Sequence, residues 1–201
     1  MKLKILTQGH FDGFCLLYSI MNSYKALINP NQNAAKFASD NFRKWQKIIS
    51  ITPSLHNFAS GEGSDFGVTK NSTDICLKER FINDCFYVLT EGMKSKISSS
   101  RLTHEKIHEI DFSKSTIIIC VNENAQLEHG SVGDHWISIV GIDEENCKFL
   151  VCCSFSHHEQ FTIERNDEIT GRIYNNTIHF SELKKSKIYV NSIQLVSIES
   201  A

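Results

Sequence analysis

Two short segments carry the residue types that could do covalent chemistry. Gln8-Gly-His-Phe-Asp-Gly-Phe-Cys15 sets a cysteine just after a glycine-containing turn and just before the apolar run Leu16, Leu17, Ile20 and Met21. Gly133-Asp-His135-Trp136 sets a histidine at the head of a strand-like run that continues to Ile142. Unpaired N–H groups and the dipole at a helix start favour an anion, so a thiol there is stabilised as thiolate. An imidazole is the base that can take its proton. Gln8 adds a side-chain amide that can hold a developing oxyanion beside the Cys15 N–H. Taken singly, each residue has an ordinary reading as core, strand end or turn. The order Gln8, Cys15, His135 is what points to a thiolate nucleophile, its base and an oxyanion donor. Gly13 permits close approach to the helix start. Asp134 and Trp136 flank the histidine and are expected, with Gly13, to border the substrate, Trp136 also shielding the imidazole from water.

A hairpin supplies a candidate for a third member. Trp136–Ile142 and Lys148–Ser154 read as strands joined by the turn Asp143-Glu-Glu-Asn-Cys147. With the turn centred near Glu144–Glu145, Ser154 faces His135 to within a residue or two. It is placed to accept the imidazole Nδ1–H and set the tautomer, although a hydroxyl is a poorer acceptor than a carboxylate. Ser156 and Asp143 are weaker candidates, Asp143 because it sits in the turn.

The elements that must position these groups change character near the middle of the chain. Phe14, Leu17, Tyr18, Met21, Tyr24 and Leu27 recur at helical spacing. A second helix is expected from about Asn33 to Ser50 and a third from about Asp74 to Leu89, capped by Thr73 or Asp74. Between them Ser54–Ser72, rich in Gly, Ser, Asn and Asp, reads as a long loop, and its part Ser60–Gly67 is placed to border a cleft. After Thr103 the signals are strand-like. Ser115–Asn122 is a nearly continuous β-branched run suited to a central strand. Phe161–Glu164, Gly171–Tyr174 and Ile188–Ile198 follow as further strands, with a short helix around Phe180–Leu183. The expected class is α+β: N-terminal helices packed on a C-terminal antiparallel sheet, one domain over 1–201 with a helical half to about 100.

Composition narrows the function classes. At 201 residues, 41% of them hydrophobic, the chain can build a core without disulfides or metal. A net charge of −2 and the lack of a dense basic block give no reason to expect nucleic acid. The apolar run after Met1 is too short for a signal peptide, and no stretch reaches the roughly 18 apolar residues of a membrane span. Seven cysteines, at 15, 76, 85, 120, 147, 152 and 153, are odd in number, lack CxxC spacing and mostly lie in apolar runs. Reduced thiols in the cytoplasm are expected, with no metal and no cofactor.

The ordered Gln8, glycine-flanked Cys15 at a helix start, His135-Trp136 at a strand start and the hairpin resemble the papain-like cysteine peptidases. Among these they are most similar to the compact bacterial peptidases that trim double-glycine leaders from bacteriocins. The resemblance implies a papain-like fold, a peptide or protein substrate, and Gln8, Cys15 and His135 as oxyanion donor, nucleophile and base. The chain departs from that pattern in three places. One extra residue separates Gln8 from Cys15. Gly13-Phe14-Cys15-Leu16 replaces the aromatic residue that follows cysteine in the papain signature. The orienting Asn or Asp would fall near Ser154, where the chain reads Cys-Cys-Ser.

The same attack serves glutamine deamidases and acyl transferases. A second alternative is a non-catalytic module that binds peptides in the same cleft. A third is a DHH-type metal phosphoesterase, from Gly9-His-Phe-Asp12-Gly13 and Asp134-His135, which requires these motifs at the ends of parallel strands.

Overall fold

The computed structural model describes residues 3–8, 13–60, 66, 71–155 and 159–199. The helical spacing seen from Phe14 onward becomes α1 (Cys15–Ile28), whose Leu16, Leu17, Ile20 and Met21 are buried. The expected second helix is two: α2 (Ala34–Asp40) and α3 (Phe42–Ile51). Asn41 separates them because both its backbone N–H and its side-chain Nδ2 donate to the Phe37 carbonyl, at 3.0 and 2.9 Å. A local side-chain bond of this kind competes with continuing the helix. The segment read as a loop holds a short α4 (Leu55–Ala59), and most of Ser60–Gly67 lies outside the described residues. α5 (Ser72–Leu89) starts earlier than expected, since Asn71 rather than Thr73 or Asp74 is the cap, accepting from Thr73 N–H at 2.8 Å.

The strands are β1 (Lys96–Arg101), β2 (Ser115–Val121), β3 (His135–Asp143), β4 (Lys148–Cys152), β5 (Arg165–Asn166), β6 (Ile173–Tyr174), β7 (Asn176–His179) and β8 (Gln194–Glu199). Six of them form one sheet in the order β1-β8-β2-β3-β4-β7, antiparallel at every pairing, and β5 and β6 form a separate ribbon. The fold is therefore α+β, with N-terminal helices against a mainly C-terminal antiparallel sheet. β2 is buried along its whole length. Ile118 and Cys120 join the core shared with α1 and α5, while Ile117, Ile119 and Val121 join a second core on the other face. A continuous apolar run is what burial on both faces requires.

Several weaker expectations shift. Phe161–Glu164 is mostly a 3₁₀ turn (Glu159–Thr162) leading into β5, and Ile188–Ile198 is interrupted by a second 3₁₀ turn (Val190–Ser192) before β8. β1 and β7 had no strand signal. β1 reads Lys-Ile-Ser-Ser-Ser-Arg, and its conformation comes from pairing with β8 from Lys96↔Glu199 to Arg101↔Gln194. All seven cysteines are free thiols, with Cys76 and Cys147 exposed. No described helix is long and apolar enough to cross a membrane.

Candidate active site

Cys15 is the first residue of α1 and is 9% exposed. Phe14 precedes it at the cap position, and a phenyl ring has no oxygen to offer the first-turn N–H groups. The entry turn is anchored instead by Gly13, whose N–H donates to the Phe58 carbonyl of α4 at 2.7 Å. Phe14 stacks on Phe58 at 5.9 Å and meets Trp45 edge-on at 6.3 Å. Packing and the Gly13–Phe58 backbone bond thus help to fix the start of α1, and the Cys15 thiol donates to the Gly13 carbonyl at 3.9 Å.

His135 opens β3 opposite Val121 of β2 and is 4% exposed. Ser154 Oγ lies 3.4 Å from its Nε2 and donates to Gln8 Oε1 at 3.1 Å. Gln8 in turn donates its backbone N–H to the Ser154 carbonyl at 3.0 Å. Three sequence candidates, Gln8, His135 and Ser154, therefore meet in one chain of contacts. One detail differs from the expectation: the hydroxyl faces Nε2, not Nδ1. A hydroxyl has one proton and two lone pairs. With its proton on Gln8, the hydroxyl has lone pairs with which to accept from a protonated Nε2.

The hairpin register explains why the approximate pairing worked. Ser138 pairs with Cys152, and a bulge lies between Ile139 and Gly141. Continuing that register past the end of β4 sets Phe155 opposite His135, and its ring meets the imidazole edge-on at 5.9 Å. Ser154 is one position away, close enough for its side chain to reach.

Two buried thiols carry an electrostatic contribution from Cys15. Burial pushes the Cys120 thiol well up, and the nearby Cys15 and Asp134 add to it. Burial also pushes Cys153 up to about 12, again with a contribution from Cys15. Cys120 belongs to β2, beside β3, and faces the helical layer; Cys153 follows β4, on the other side of β3, and faces the opposite core. Cys15 packs in the same core cluster as Cys120 of β2 and Trp136 of β3, the residue after His135. Lower down, Ser138 Oγ donates to the Ser19 carbonyl at 2.7 Å, one helical turn beyond Cys15, and locks α1 onto β3.

The remaining candidates divide. Trp136 is 2% exposed and packs in the core with Cys15 and Cys120, so it walls the site from behind rather than facing solvent. Asp134 is exposed and accepts a hydrogen bond from the Tyr189 hydroxyl, whose pKa burial and Asp134 together push up to about 12. Gly13 is buried in the entry turn. Asp143 ends β3, far along the strand from His135, and Ser156 lies outside the described residues.

Sequence reasoning missed three supporting residues. Asn175, 1% exposed, accepts from Cys153 N–H at 2.8 Å and donates to the Cys153 and Phe161 carbonyls at 2.8 and 2.6 Å. It fixes the backbone that carries Ser154. Tyr189 and Phe155 are the others. No spacing in Tyr174-Asn-Asn-Thr177 or around Tyr189 marks them; each arrives through a long-range contact. Among the described residues no group of three or more His, Cys, Asp or Glu could hold a metal ion. The parallel strand ends required by the phosphoesterase reading are absent from this antiparallel sheet.

No family model matches the chain, and no curated protein does. Among solved structures it is similar to the crystal structure of the N-terminal peptidase C39 like domain of the toxin secretion ATP-binding protein from Vibrio parahaemolyticus. The identity is 10%, the coverage 91% of this chain and 97% of that one, and the TM-score 0.39. A likeness at this level says nothing about chemistry.

Proposed function

We propose that this protein is a papain-like cysteine hydrolase that cleaves peptide bonds in a peptide or protein substrate, with Cys15 as nucleophile and His135 as base. The observation that carries the reading is the Gln8–Ser154–His135 chain of contacts, with Cys15 as the first residue of α1. Ser154 holds Nε2–H, so Nδ1 receives the Cys15 proton and the thiolate attacks the substrate carbonyl. The Gln8 carboxamide directs its oxygen to Ser154, and its NH2 is the half able to donate to the oxyanion beside the Cys15 N–H. Nδ1–H then protonates the leaving amine, and the same nitrogen activates the water that releases the acyl group from sulfur. The position of an orienting carboxylate or carboxamide is filled by a neutral hydroxyl, which fixes the tautomer but adds little stabilisation to the imidazolium. Slow turnover is the expected consequence.

Iodoacetamide labelling followed by peptide mapping tests the pair. Cys15 is expected to react faster than the other six thiols, and more slowly in His135→Ala. Equal rates in both proteins would sink the reading. With a peptide library as substrate, mass spectrometry separates backbone cleavage from deamidation, which leaves the backbone intact. Activity must disappear in Cys15→Ser.

A further inference from the structure

Asn22 is buried within α1, although asparagine is a weak helix former and a buried carboxamide is costly unless it is bonded. Both halves of its carboxamide are bonded, and to one residue. Oδ1 accepts from Leu6 N–H and Nδ2 donates to the Leu6 carbonyl, each at 2.9 Å. We infer that Asn22 is a positioning residue of the active site: by gripping Leu6 it registers Gln8, two residues on, against the helix that begins with Cys15. The inference rests on the cysteine-hydrolase reading, in which Gln8 holds the oxyanion.

Helix geometry sets the grip in line with the nucleophile. Asn22 stands seven residues after Cys15, two turns on, so the two share a face of α1 about 10 Å apart along its axis. The N-terminal segment passes that face in the opposite direction. The Leu3 carbonyl accepts from Ala34 N–H at 2.8 Å beyond the far end of α1, and Leu6 meets Asn22 within it. From Leu6 to Gln8 the chain then advances by at most about 7 Å towards the start of the helix. One helix therefore carries both the nucleophile and the grip on the oxyanion donor.

The segment depends on such grips. Residues 3–8 belong to no strand, so no sheet ladder fixes their register. Side chains do so instead. One carboxylate oxygen of Glu164 accepts from Lys4 and Ile5 N–H, both at 2.6 Å, and Asn33 Nδ2 donates to the Leu3 carbonyl at 3.0 Å. Asn22 acts closer to Gln8 than either of these. Its carboxamide offers one acceptor and one donor to the two backbone groups of Leu6, as a neighbouring strand would. A slip of one residue there would displace Gln8 by about 3.3 Å, more than a hydrogen bond tolerates.

The test separates oxyanion stabilisation from thiol reactivity. p-Nitrophenyl acetate acylates a thiolate through a tetrahedral oxyanion, whereas iodoacetamide alkylates it without one. Peptide mapping gives the rate at Cys15 for each reagent, and their ratio cancels changes in the thiol itself. Gln8→Ala is expected to lower the ratio by about 10²-fold, and Asn22→Leu by about 10- to 100-fold. Added to Gln8→Ala, Asn22→Leu should lower it no further, because it acts through that side chain. A merely structural role would lower the ratio by the same factor in both backgrounds. That result, or an unchanged ratio in Asn22→Leu, overturns the inference. Asn22→Asp, which loses only the donor to the Leu6 carbonyl, carries the same cycle where Asn22→Leu does not fold. If Gln8→Ala leaves the ratio unchanged, the oxyanion assignment fails by itself; if Cys15 reacts with neither reagent, the hydrolase reading does. In either case hydrogen exchange decides the grip. The Gln8 N–H donates to the Ser154 carbonyl, and its protection relative to Ile118 in β2 should drop by about 10-fold or more in Asn22→Leu. Equal protection overturns it.

Discussion

The strand ends around His135 and the seam beneath α5 around Lys78 both bury polar groups against the same sheet, by opposite means. At the strand ends the bonds are reciprocal: the uncharged Gln8 and Ser154 exchange hydrogen bonds, and Ser154 turns to His135. Under α5, Lys78 is fully buried and donates its ammonium to a single backbone carbonyl, that of Asn191. Burial pulls its pKa down to about 8, against a smaller opposing pull from Glu79. Cys120 lies electrostatically between the two regions, sensing Lys78 on one side and Cys15 on the other. The difference teaches where each effect belongs. Neutral reciprocal bonds position atoms at little net free energy. A buried charge makes stability answer to pH.

The largest break in that contrast is His135→Ala. It should lower peptide turnover by about 10²- to 10⁴-fold, the usual range for losing a general base, at a stability cost of about 1–3 kcal/mol for truncating a buried ring. A loss of folding in step with activity, read by circular dichroism, would make His135 structural instead. Asn175→Ala comes next. It leaves the Cys153 N–H and two carbonyls without their partner, at a cost of about 3–4 kcal/mol in urea denaturation. Turnover should fall as well, because Ser154 rides on that backbone. Stability within about 1 kcal/mol of wild type would remove Asn175 from its positioning role.

Lys78→Met addresses the other region. The folded pKa is near 8 and the unfolded value is 10.5, so the unfolded chain binds more proton between those values. The burden of the buried ammonium is complete below pH 8 and fades as pH rises towards 10.5. Wild-type stability relative to Lys78→Met should therefore improve by on the order of 3 kcal/mol between pH 7 and 10.5. Taking the difference is necessary. Cys85, Cys120, Cys152 and Cys153 have raised pKa values, and they destabilise both proteins above about pH 9, where unfolded thiols ionise. A flat difference would refute the assignment. The smallest effect is Ser154→Ala, which removes one neutral hydrogen bond to the base. A loss of about 3- to 10-fold in turnover is expected, read from initial rates, with little change in KM. A loss of 10³-fold would mean that the hydroxyl does more than hold the tautomer.

The two halves were unequally legible. The register of α1, α5 and β2 could be read from apolar spacing because each buries a face whose period is set locally. Asn41 broke the second helix through a side-chain bond that periodicity does not register. β1 and β7 carry no alternation and exist because β8 and β4 pair with them. For the site, the residue types Gln8, Cys15 and His135 were visible by order alone. Ser154 followed from counting across a hairpin, and the count survived a bulge because a side chain reaches one position to either side. The nitrogen it faces could not be counted.

What the sequence by itself determined is a set of local facts: a cysteine at a helix start, a histidine at a strand start, and a hairpin short enough to fold the chain back past that histidine. Only the tertiary structure decided that Ser154 joins Gln8 to Nε2, that Asn175 holds the backbone beneath it, and that Trp136 turns into the core. Only it sets Asn22 of α1 against both backbone groups of Leu6. The physical reason is range. Helix and strand periods act over a few residues and are written in the chain, whereas these contacts join residues up to 146 positions apart, and burial of the whole sheet brings them together.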